Sequence, residues 1–165
     1  MVRPLQEYFK TVYASDIHDY GMGNLIDFLF ERDPRKLEPI DWIITNPPFR
    51  LAEQFITTAL PLAERGVAML CRTVFAESRA RYLALFRDRP PSDVLIFSGR
   101  VPMLRDRLDR KGSSATSYSW FVWGDVGRET RLGWIPPDAR SRLERDDDYL
   151  SPMLSPVVPR ILGDG

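Results

Sequence analysis

The sequence predicts an α/β fold built on a doubly wound, mostly parallel sheet, and three observations carry that expectation. Short apolar runs recur at residues 42–44, 66–71 and 93–97 with no polar face, which suits strands covered on both sides. Between them lie stretches with apolar residues at helical spacing, and strands alternating with helices favour parallel pairing. The third is an abrupt corner, Asn46-Pro47-Pro48-Phe49, that ends the first run and opens a helix. In open α/β sheets such corners, at the carboxyl ends of strands, are where ligands bind.

Bulk properties fit that class and exclude several others. The chain has 165 residues, 44% hydrophobic and 12% aromatic, enough for one domain with a real core. Its 23 basic and 23 acidic residues balance, so no overall field draws it to nucleic acid or to an anionic membrane. DNA binding therefore has to be local. A single cysteine, Cys71, rules out an internal disulfide, and it sits in an apolar run as a buried small residue would. No segment has the pattern of a signal peptide and none approaches eighteen apolar residues, so a cytoplasmic protein without membrane contact is expected.

Taken in order, residues 2–10 place Val2, Leu5, Tyr8 and Phe9 on one helical face. Residues 11–17 form a β-branched and aromatic run ending in Asp16 and Ile17, with Gly21 and Gly23 in the loop behind, and read as a strand and its turn. Gly21-Met22-Gly23 lacks a third glycine opening a helix, so it is no dinucleotide loop. Asp27 precedes the apolar Phe28-Leu29-Phe30, where an acid is an ordinary cap. Residues 31–39 are a charged surface loop.

At the corner, Pro47 and Pro48 offer no N–H to a ladder, so the strand must stop at Asn46. Residues 51–60 then carry a helical pattern. Residues 66–71 form the next strand, 73–86 a helix stopped by Pro90-Pro91, and 93–97 a further strand. The segment 99–112 holds Arg100, Arg105, Arg107, Arg110 and Lys111 with Asp106 and Asp109. It either tracks a phosphate backbone or is a solvated loop with internal ion pairs. Residues 117–123 are an aromatic strand, its rings core or base-stacking surface. A short edge strand within 130–137, helical turns over 139–145 and an acidic cluster at 146–148 follow. The proline-rich end from Ser151 reads as extended or mobile.

The corner's residues define a chemistry. Asn46 cannot act as a general base near neutrality, yet its amide oxygen accepts hydrogen bonds. Pro47 contributes a rigidly placed carbonyl as a second acceptor, Pro48 stiffens the corner, and Phe49 offers a flat apolar face. Two converging acceptors suit a planar NH₂ group whose lone pair must be freed from conjugation before it attacks an electrophile. No metal is required for that chemistry. His18, the only histidine, reads as a surface loop residue rather than a ligand or base.

An apolar strand followed by Asn46-Pro47-Pro48-Phe49 resembles the catalytic motif of S-adenosylmethionine-dependent amino-group methyltransferases, chiefly the N6-adenine DNA methyltransferases. The resemblance covers residues 1–137 as a methyltransferase-like domain, leaving 138–165 as a helical turn and extended tail. It implies a class I, Rossmann-like methyltransferase fold, with Asn46, Pro47, Pro48 and Phe49 as catalytic residues. S-adenosyl-L-methionine would be the cofactor, its ribose held by Asp16, its adenine packed on Ile17 and met by Asp27 and Phe28.

The sequence departs from that family at its start, where no strand and glycine-rich turn precede Asp16. By this resemblance the domain is N-terminally truncated. The gap in its sheet is closed by the two halves or filled by a second copy in a homodimer. The implied reaction is methylation of an exocyclic amino group, adenine N6 in DNA foremost. A protein glutamine amide is the alternative substrate, and an inactive methyltransferase-fold fragment acting as a binding module is the non-enzymatic alternative.

Overall fold

The computed structural model describes residues 1–21, 23–30, 39–102, 115–124 and 129–149. The chain opens with helix α1 (Val2–Gln6) and two short strands, β1 (Ser15–Asp16) and β2 (Asn24–Leu25), which pair in parallel with each other. Next come β3 (Ile40–Thr45), α2 (Ala52–Ala59) and β4 (Ala63–Arg72). A 3₁₀ turn (Thr73–Ala76), α3 (Arg79–Arg81) and a π-helical turn (Tyr82–Phe86) lead to β5 (Asp93–Phe97). The described chain finishes with β6 (Tyr118–Trp123), β7 (Arg131–Ile135), α4 (Ala139–Leu143) and a 3₁₀ turn (Asp146–Tyr149).

Five strands form the main sheet in the order β3-β4-β6-β5-β7. The β3–β4 and β5–β7 pairs are parallel, and β6 runs antiparallel to both β4 and β5. Four strands therefore point one way and β6 alone opposes them, a mostly parallel sheet flanked by helices. The aromatic run became β6, its rings largely core: Phe121 is 1% exposed and meets Phe75 edge-on at 5.4 Å. Phe75 in turn meets Phe86 at 5.8 Å.

The fully covered strand is β4, not β3. Val67 through Cys71 are all buried, as expected of a strand with neighbours on both edges and helices on its faces. Ile56 and Ala59 of α2 belong to the same core. Trp42, Ile43 and Ile44 were expected to be central and covered on both sides; instead β3 lies at the sheet edge and is only half-buried. Composition cannot separate the two cases, because an apolar strand is covered only if a further strand or helix arrives.

Gly66 shows how tightly β4 is held between its neighbours. A Cβ there would meet the Trp42 ring at 2.5 Å and the Trp123 carbonyl at 2.7 Å, so any side chain forces its neighbours to shift.

Other elements differ from the sequence expectation for local reasons. The first helix spans Val2–Gln6 only, and Tyr8, assigned to its apolar face, is exposed. Of the strand expected over 11–17, only Ser15 and Asp16 pair, because the partner they find is two residues long. The helix expected over 73–86 is broken at Glu77 and Ser78, both extended, and restarts where the Ser78 hydroxyl accepts the Arg81 N–H at 3.3 Å. Serine favours N-caps for this reason. Residues 103–114, most of the basic segment, and the tail from Ser151 lie outside the described residues. Arg100 is described, and its guanidinium donates to the Ala115 carbonyl at 2.9 Å. No helix among the described residues is long and apolar enough to cross a membrane.

Candidate functional site

The corner is built by what surrounds it. β3 ends at Thr45, Asn46 is exposed, Pro47 is buried, and the Leu51 N–H donates to the Pro48 carbonyl at 2.8 Å, turning the chain into α2. Two prolines in succession leave no N–H to pair, so the bend falls here whatever the packing. Among the described residues, neither the Asn46 amide nor the Pro47 carbonyl has a hydrogen-bond partner. The Asn46 amide is exposed to solvent, whereas Pro47 is buried, and neither residue lines the two cavities next to Phe49.

Phe49 is half-buried, and other side chains occupy its surroundings. Tyr118 of β6 packs against it with centroids 5.7 Å apart and planes 34° apart. The Arg72 guanidinium lies over the ring at 4.7 Å. A cation over an exposed ring contributes about 0.5–1 kcal/mol, whereas a nucleobase stacked on an aromatic side chain contributes about 1–3 kcal/mol. Arg72 is exposed and long-stemmed, and among the described residues its guanidinium has no hydrogen-bond or carboxylate partner to hold it there.

Two adjoining cavities open at this point. One, of about 570 Å³, is lined by Pro48, Phe49, Arg50, Leu51 and Arg72. The other, of about 360 Å³, shares Phe49, Arg50 and Arg72 and extends to Glu53, Cys71, Phe75 and Arg81. Sequence reasoning missed Arg50, Arg72, Arg81 and Tyr118 as members of the site. A signal for Arg72 existed: β3 pairs with β4 in parallel through Thr45 and Met69, so the carboxyl end of β4 had to arrive beside the corner.

Cys71 is buried at the rim of the second cavity, and burial pushes its thiol up to about 12, an effect the nearby Arg81 guanidinium only partly offsets. It is a protonated, packed thiol rather than a nucleophile. Arg81 donates from NH1 to the Phe75 carbonyl at 2.8 Å and sits over the Phe75 ring at 4.6 Å.

The four residues expected at the cofactor lie elsewhere, and neither cavity is lined by any of them. Asp16, at the end of β1, is exposed, and its Oδ1 accepts the His18 N–H at 2.9 Å. Ile17 beside it is 54% exposed. Asp27 accepts the Leu29 N–H through Oδ1 at 2.9 Å, the cap its sequence position suggested. Phe28 is stacked on Phe55 of α2 at 5.2 Å, so that face of its ring is used in packing. Nothing in this set addresses the methionine end of S-adenosylmethionine. His18 is exposed, edge-on to Tyr20 at 6.2 Å. Among the described residues, no three His, Cys, Asp or Glu side chains converge as metal ligands.

No family model, no curated protein and no solved structure matches this chain.

Proposed function

We propose that the corner receives a flat ring bearing an exocyclic NH₂ group and presents it for methylation, adenine N6 in DNA being the preferred target. The observation that carries this proposal is the pair of unengaged acceptors, the exposed Asn46 amide and the Pro47 carbonyl, in the same short corner as Phe49. In this reading both acceptors bind the hydrogens of the amine, which draws its lone pair out of conjugation with the ring. Phe49 supports the ring once Arg72 swings aside, and Pro48 keeps the geometry fixed. One amine proton is lost to water as the new N–C bond forms, since Asn46 cannot retain it. S-adenosylmethionine, when bound, would supply the methyl group as an electrophile, with Asp16 accepting from its ribose hydroxyls, Ile17 against its adenine, and Asp27 and Phe28 nearby.

Among the described residues β3 pairs only with β4, and this edge position supports a second component of the proposal, a homodimer. An apolar edge strand leaves backbone N–H and C=O groups unpaired and templates pairing with another chain. Two copies related by a twofold axis would pair their β3 strands antiparallel, giving one continuous sheet. Sedimentation over a range of concentrations tests it, and a monomer throughout rejects it.

Activity is tested by transfer of labelled methyl from S-adenosylmethionine to adenine-containing DNA and, separately, to a glutamine-containing peptide. Asn46→Ala is expected to lower transfer at least about 100-fold, the loss typical of one transition-state hydrogen-bond partner. Calorimetric titration of the cofactor, with Asp16→Ala as control, tests cofactor binding on its own. Transfer to the peptide and not to DNA would move the substrate to a protein amide. A folded chain that binds no cofactor would make this a binding module.

A further inference from the structure

The corner's acceptors address a ring, but its cavities are lined by charge that the ring does not need. Arg50, Arg72 and Arg81 all face the smaller cavity, against a single acid, Glu53. Among the described residues, Arg50 and Arg72 have neither a carboxylate partner nor a hydrogen-bond acceptor. Arg87, Arg131, Arg140, Arg142 and Arg145 pair with acids; Arg65, Arg79 and Arg89 share the unpaired state of Arg50 and Arg72, but neither cavity is lined by them. Arg81 differs in being half-buried and fixed, its NH1 on the Phe75 carbonyl, with no acceptor for Nε or NH2 among the described residues. Two long unpaired guanidinium groups beside one anchored fork form a receptor for a tetrahedral or planar anion.

We propose that this cleft binds a phosphate of a nucleotide chain, so that the ring received at Phe49 comes attached to a phosphodiester backbone. Arg72 links the two functions. In the free protein its guanidinium covers Phe49; when a base takes that place, the guanidinium is released next to Arg50 and Arg81, where a phosphate follows the base. The chain's net charge of zero gives no general attraction for nucleic acid, so this local concentration of charge has to supply it. A glutamine amide by itself brings no such anion. The ring-binding half rests on the proposed function above, whereas the phosphate site stands on the arginines alone.

The test is fluorescence anisotropy of the full chain with a short adenine-containing single-stranded oligonucleotide, repeated over a range of salt concentrations. For single strands, log K falls with log salt by about 0.7 per phosphate contact. Arg72→Gln is expected to flatten that slope by about 0.7 and the Arg50→Gln/Arg72→Gln pair by about 1.4. Arg72→Lys should restore most of the slope. Arg87→Gln removes the same charge at a residue that lines neither cavity and should leave the slope unchanged, and circular dichroism verifies that each variant is folded.

The same oligonucleotide with the adenine replaced by an abasic site separates the two ideas. Equal binding of both strands with an arginine-dependent slope would sustain the phosphate site and reject the ring. No binding of either strand, or a slope insensitive to Arg50 and Arg72, would overturn the phosphate site. Tighter binding of an acidic peptide than of the oligonucleotide would also overturn it.

Discussion

The strand β4 and the paired strands β1 and β2 are opposite extremes of the same chain. β4 is ten residues long, has a neighbour on each edge, and carries a run of buried residues from Gly66 to Cys71. β1 and β2 are two residues each, pair only with one another and bury nothing. An isolated two-stranded pairing is marginal in water. The N-terminal region is held instead by local bonds and a few anchors. Asp16, Asp19 and Asp27 each accept a backbone N–H two residues on, Phe28 stacks on Phe55, and Arg145 pairs with Glu7 at 2.7 Å. The catalytic-looking corner is attached to the first region, and the expected nucleoside contacts to the second. The corner is therefore tied to a densely packed strand, whereas Asp16 and Ile17 lie in sparsely packed surroundings.

The largest test of the contrast is Phe121→Ala in β6. Removing a fully buried ring that Phe75 packs against should cost about 3–5 kcal/mol, read as a fall in the midpoint of urea unfolding. A loss under about 1 kcal/mol would mean that the sheet core is not the chain's main source of stability.

Gly66→Ala is expected to cost about 1–3 kcal/mol, because the new methyl meets the Trp123 backbone as well as the movable Trp42 ring. The same measurement at Gly133, where a Cβ meets only the Leu95 side chain at 3.0 Å, should give a smaller loss.

A third test concerns the far edge of the sheet, where Arg131 grips Asp93 with Nε to Oδ1 at 2.7 Å and NH2 to Oδ2 at 3.1 Å. That fork, helped by the Ser92 hydroxyl and opposed by desolvation, holds the Asp93 carboxyl below the usual range. Its folded value is therefore lower than its unfolded one, and the stabilisation is present at neutral pH and lost as pH falls through the folded value. Asp93→Asn should cost about 1 kcal/mol at pH 7, the upper end for a partly exposed pair. The gap between the two proteins should narrow as the solution is taken below about pH 4. A gap constant to pH 2 would remove the ion pair as its cause.

The smallest expected effect is in the N-terminal region. Tyr13 and Leu25 are 78% and 65% exposed, so Tyr13→Ala and Leu25→Ala should each change stability by less than about 0.5 kcal/mol. Amide hydrogens at Asn24 and Ile26 should exchange far sooner than those of Val67 to Cys71. Slow exchange in both places would erase the contrast between the regions.

The sequence by itself determined the features that depend on local chemistry. Two consecutive prolines ended β3 where they stand, the apolar runs at 42–44, 66–71, 93–97 and 117–123 became β3 to β6, and Asp27 capped its turn. Each of these outcomes is settled within a few residues by missing N–H groups, side-chain shape or a short hydrogen bond. The tertiary structure decided which apolar strand is central, because the runs Trp42–Ile44 and Val67–Cys71 are both apolar, yet β3 has one neighbouring strand and β4 has two. It also decided that Arg72 lies over Phe49, since that contact depends on parallel pairing between strands about 25 residues apart. The expected strand over 11–17 shrank to two paired residues for the same reason. A strand exists only to the extent that a neighbour satisfies its backbone, and no property of the strand's own residues fixes whether that neighbour is there.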